Sequence, residues 1–121
     1  MKQRTDGDQF VSSAQKKIGR GIIMQTYILM TKLAPEAGRQ IKERARMGQT
    51  WMKQVKEACP EVKFIGHWAV LGDFDFISIY EAPDPDVAAK VSMISLANGA
   101  YQAQSWTAIE YKRFIELTEE I

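Results

Sequence analysis

At 121 residues the chain has the length of one ordinary domain, and an apolar content of 45% is enough for a real core. A net charge of +1 selects neither nucleic acid nor a membrane surface, and one cysteine, Cys59, excludes a disulfide framework within the chain or a metal cluster built on cysteine. No apolar run approaches the roughly 20 residues of a membrane span, and a single free thiol suits a cytoplasmic protein.

Residues 1–23 differ from the rest. Lys2, Arg4, Lys16, Lys17 and Arg20 stand against Asp6 and Asp8, without apolar periodicity. Such a segment buries too little surface to order alone, so a flexible or weakly structured arm is expected. Met24 directly precedes the first convincing strand and is an alternative start to Met1. The domain proper is expected over 24–121.

Met24 to Lys32 is rich in β-branched, aromatic and long apolar residues and reads as the first strand. Pro35 then suits the first turn of a helix, with Glu36 near its positive end. At 100° per residue, Ile41, Ala45, Gly48, Met52, Val55 and Cys59 share one stripe of a helix from Pro35 to Ala58. Gly48 and Thr50 predict a break near Met47 to Thr50. Cys59 on the buried stripe is expected to be a small core residue.

Pro60 stops that helix. A second strand follows from Val62 to Leu71 and a third from Phe74 to Glu81. The Gly72-Asp73 link reads as a two-residue hairpin turn with positive φ. By alternation, Val62, Phe64, Trp68 and Val70 share one side of the second strand, and Ile65, Ala69 and Leu71 the other. Asp84-Pro85-Asp86 opens a second helix, Pro85 to Ala97, which Asn98-Gly99 closes in the left-handed region. The fourth strand is expected at Tyr101 to Tyr111, and a last helical turn or two in the remaining tail.

The order β-α-β-β-α-β with right-handed crossovers yields an α+β, ferredoxin-like fold: a four-stranded antiparallel sheet with two helices on one face. The strands stay apolar on both sides, where a solvated face would alternate to polar residues. The open face therefore needs a cover, and a second copy of the chain is the simplest one. Alternation alone does not say which residue set meets it.

The stretch Gly72-Asp73-Phe74-Asp75-Phe76-Ile77-Ser78-Ile79-Tyr80-Glu81-Ala82-Pro83-Asp84 resembles the signature of the GYD-domain family. Gly72 and Asp75 match the motif. Phe74 stands at the family's tyrosine, without a phenol hydroxyl. The resemblance implies a ferredoxin-like fold of the dimeric α/β-barrel kind and no settled activity.

His67, the only histidine, reads either as a hydrogen-bonded structural residue or as a general base or axial haem ligand. No zinc site is expected without a second histidine or a cysteine pair. Asp75 reads either as a turn residue accepting backbone N–H groups or as a carboxylate aimed into a cavity, with Glu81 on its side of the strand. Tyr27, Trp51, Trp68, Tyr80 and Trp106 are candidates for an aromatic pocket, although such residues more often fill cores and interfaces. Two functions follow. The first is a homo-oligomeric ligand-binding or interaction module, without a resident cofactor. The second is a cofactor-independent oxygenase or isomerase using His67 and Asp75.

Overall fold

The computed structural model describes residues 23–121. The expectations for residues 1–22, arm and start codon included, lie outside the described residues. The element order is β1 (Gln25–Leu33), α1 (Pro35–Arg39), a 3-10 turn (Ile41–Glu43), α2 (Arg44–Ala58), β2 (Lys63–Ala69), β3 (Phe76–Ala82), α3 (Pro85–Ala97), β4 (Ala100–Ala108) and α4 (Tyr111–Thr118). The sheet order is β2-β3-β1-β4, with every neighbouring pair antiparallel. This is the ferredoxin-like arrangement.

The helix-facing side of the sheet carries the core. Tyr27, Leu29, Tyr80 and Ala82 are buried against Ala88 and Val91 of α3 and Val55 of α2. Tyr27 and Tyr80 face each other across the β1–β3 pairing, with stacked rings 5.5 Å apart. The Tyr80 hydroxyl lies 2.9 Å from Ser105 Oγ, which is 2.8 Å from Ser92 Oγ on α3. A hydroxyl chain thus satisfies the polar tip of a fully buried ring. Asp84 caps α3, its carboxylate accepting the Val87 N–H at 3.0 Å, as Asp-Pro-Asp predicts.

Several expected details differ. The first helix is broken at Gln40, whose ψ of 62° lies outside the helical region, and not near Met47 to Thr50. Gly48 sits inside an uninterrupted α2. The β2–β3 link is no two-residue turn. Val70 to Asp75 form a wider loop, closed by Val70 N–H to Asp75 O at 2.9 Å. Gly99 at φ +99° is the only described glycine with positive φ, so Gly72 is not held there by backbone demand. β4 ends at Ala108, short of Tyr111.

The strand alternation also fails within β2. Phe64 pairs with Tyr80, but Gly66 pairs with Ile79 and His67 with Ser78. The extra residue at Ile65 is a bulge, and it resets the parity. Phe64 and His67 therefore lie on the helix side while Trp68 lies on the open side. The Trp68 indole folds back over Gly66, where any Cβ would sit 2.7 Å from it.

Gly99 and Gly72 make a direct comparison. A Cβ at Gly99 adds strain at positive φ and close contacts to Ala37 (3.2 Å) and Met47 (3.3 Å), whereas one at Gly72 meets nothing within 4 Å. Gly99→Ala is expected to cost about 1 kcal/mol or more, a fall in melting temperature of roughly 4–8 °C for a domain of this size. Gly72→Ala should leave it unchanged. Equal melting temperatures for the two variants would contradict this reading.

Candidate functional site

α2 lies against α3 and meets the sheet through side chains rather than by close backbone approach. Trp51 is the main spacer. Its ring centroid is 5.3 Å from that of Phe64 and 5.8 Å from that of His67, and its indole N–H donates to Ser95 Oγ at 2.8 Å. Asn98 Nδ2 ties the other end, donating to Gln54 Oε1 at 2.7 Å and to Ile94 O at 2.8 Å.

An indole is wider than the aliphatic side chains that usually separate a helix from a sheet. Beyond Trp51, toward the start of α2, the gap stays open as a cavity of about 500 Å³. Arg44, Met47, Gly48 and Met52 of α2 form one wall. Thr31, Leu33, His67, Phe76 and Ser78 of the sheet form the other, and Ser95, Asn98 and Ala100 close the end. The volume falls within the roughly 300–1,000 Å³ of small-molecule sites, and so does the mixture of apolar walls with a few polar groups.

His67 Nδ1 lies 2.9 Å from Ser78 Oγ, and its ring packs 4.8 Å from Phe64. Partial burial pushes its pKa below the ordinary value, so the imidazole is neutral at physiological pH. It reaches the cavity as a hydrogen-bonding group and not as a cation.

Asp75 is placed elsewhere. Its carboxylate accepts the Leu33 N–H at 2.7 Å and its own N–H donates to Thr31 O at 2.8 Å. It clamps the β2–β3 loop to the end of β1 and does not line the cavity. The motif residues Gly72 and Phe74 belong to that clamped loop. Glu81 lies on the open face of the sheet, opposite Thr26 and Lys63.

Of the aromatic candidates, Trp51 and Trp68 border the cavity. Tyr27 and Tyr80 are core residues beside it; burial raises both hydroxyls, Tyr80 to about 12, so neither is an acid–base group at neutral pH. Trp106 is on the open face, half-exposed, with its N–H donating to Gln104 Oε1 at 2.9 Å. Cys59 is buried, and burial pushes its thiol up, as expected of an inert core residue.

Sequence reasoning missed Arg44, Met47 and Phe76 as cavity residues. Arg44 falls beside Val55 at the edge of the apolar stripe at 100° per residue, where its charge hides it from an apolar pattern. Among the described residues no cluster of His, Cys, Asp or Glu is arranged to hold a metal ion, and no helix is long and apolar enough to cross a membrane.

His67 gives a direct test of this electrostatic picture, since it supplies the only imidazole signals. Its C–H resonance should titrate with a midpoint below 6.5. The unfolded chain then binds the proton more tightly, so the contribution to stability is full above about pH 6.5 and declines as pH falls toward the folded value. His67→Gln should remove that decline. A midpoint at or above 6.5 would contradict the placement.

Residues 27–118 match the family model described as GYD domain. No curated protein and no solved structure matches the chain. With the match running from the second residue beyond the start of β1 to the end of α4, the chain belongs to the GYD domain family.

Proposed function

We propose that this GYD domain is a small-molecule binding module that works as a homo-oligomer. The observation that carries the binding reading is the cavity of about 500 Å³ held open between α2 and the sheet. Its walls are aromatic, aliphatic and thioether groups, and methionines adapt their shape to a ligand at low cost. The polar groups that face it are few and fixed, as ligand orientation requires.

The catalytic alternative has less support. It needs His67 and Asp75 to act together, but the Asp75 carboxylate accepts a backbone N–H outside the cavity. No carboxylate lines the cavity among the described residues. A neutral imidazole bonded to a serine then has no partner to exchange protons with.

The open sheet face supports self-association. Ile28 lies opposite Ile79 and Trp106, and Met30 and Trp68 both lie opposite Ile77. Trp68 and Trp106 are about half-exposed. These six side chains form a contiguous apolar surface, larger in character than the scattered apolar residues of a monomer. A sheet-to-sheet dimer of two such faces buries it, and specific interfaces of about 800 Å² per partner are standard. Fully exposed Leu71 and half-exposed Phe114 of α4 add apolar surface that assembly would shelter.

Native mass spectrometry separates the two parts of the reading. Wild-type protein is expected as a dimer or larger, with a retained small-molecule mass. A Cβ at Gly48 meets nothing within 4 Å, so Gly48→Leu adds bulk at the cavity wall and improves helix propensity. It should keep the oligomer and lose ligand. Ile79→Lys places a charge on the open face and should yield monomer with the cavity intact. A monodisperse wild-type monomer at high concentration would overturn the assembly reading. Ligand retention unchanged in Gly48→Leu would overturn the cavity reading.

A further inference from the structure

The polar groups of the cavity are unequally occupied. Ser78 is bonded to His67, Ser95 accepts from Trp51, and the Asn98 amide N–H groups are directed to Gln54 and Ile94. Arg44 is different. Among the described residues it is the only charged one in the cavity wall. Its Nη2 donates to Gly38 O at 3.1 Å, and its guanidinium carbon lies 5.7 Å from the centre of the Phe76 ring. Its Nε is buried and has no hydrogen-bond partner. No carboxylate among the described residues pairs with it, and the adjacent Glu43 is bound to Arg46 at 2.7 Å instead.

A guanidinium with an orphan donor and no counter-ion is costly where water is scarce, and truly unpaired buried donors are rare. The Phe76 ring lies at cation–π distance from it, and the planar fork of a guanidinium is the feature that makes arginine a two-pronged carboxylate receptor. Since Nε is covered, its use requires the end of the side chain to turn toward the ligand. Among the described residues the cavity holds no second cation, because His67 is neutral, so its charge suits one negative charge and not two.

Resting on the cavity reading above, we infer that the ligand is an apolar, preferably aromatic, monocarboxylic acid. Its carboxylate sits on the Arg44 guanidinium, and its body lies along Phe76, Trp51, Met47 and Met52. The flat walls favour a planar ring, and the two thioethers accommodate variation in its shape.

The test is isothermal titration of the full chain at neutral pH with naphthylacetate and, separately, with its uncharged counterpart naphthylethanol. The acid should bind about tenfold tighter or more, as a charge-assisted hydrogen bond pair allows. Arg44→Gln should abolish that preference while leaving the alcohol's affinity within about twofold, and Arg44→Lys should retain part of it. Equal affinity of the two probes for wild-type protein would overturn the acid inference and leave the cavity reading standing. Binding of neither would overturn both. An acid preference that persists undiminished in folded Arg44→Gln would also overturn the assignment. The wild-type comparison needs no variant, so it decides the matter even where Arg44→Gln does not fold.

Discussion

The position of α2 depends on one side chain. The Trp51 indole stands between α2 and β2, packs on Phe64 and His67, and is pinned through its N–H to Ser95 of α3. A small residue there would let α2 settle onto the sheet, as α3 does through Ala88 and Val91. The indole instead props the helix up, and the space beyond it becomes the cavity. The hydrogen bond fixes the ring's tilt, so the cavity has a set shape rather than a collapsible one. Ser95 turns its own hydroxyl to Val91 O at 3.1 Å, which leaves its lone pairs free for the indole. Core packing and site geometry thus meet at Trp51 and Ser95.

The two faces of the sheet differ in what covers them. The helix face holds the stacked tyrosines and the serine chain at its centre, and opens into the cavity beneath the start of α2. The other face carries isoleucines and two half-exposed tryptophans with nothing of the described chain across it. The bulge at Ile65 decides which residue serves which face. Without it His67 would project from the open side and not into the cavity.

Most of the fold was legible in the sequence because its signals are local. Pro60, Asp84-Pro85-Asp86 and Asn98-Gly99 act through their own φ angles and side-chain caps, and each stopped or started an element close to where it was read. The apolar open face was legible too, since both parities of β3 are apolar. The bulge was not, because one extra residue has no composition signature and only the pairing partner reveals it. The loop before β3 was misread for a related reason. Gly-Asp looks like a hairpin turn, but Asp75 gains more by clamping the loop to β1 through Leu33 and Thr31. That same clamp gives the family motif a structural meaning here: Asp75 is a loop anchor. The cavity was half legible. Trp51 and His67 stand out as aromatic and polar candidates, whereas Arg44, at the edge of the apolar stripe of α2, is a charge that an apolar periodicity passes over.

Two apolar regions on one small domain compete for any hydrophobic ligand. The three tryptophans report on this separately, because each has one indole N–H and Trp51 and Trp106 lie on opposite faces of the sheet. The decisive measurement is an amide and indole proton–nitrogen correlation spectrum of the labelled protein during titration with naphthylacetate. The Trp51 indole signal and the Gly48 amide should move with saturation while the Trp106 indole signal stays fixed. Movement of Trp106 with Trp51 and Gly48 unchanged would place binding on the open face and contradict the cavity reading.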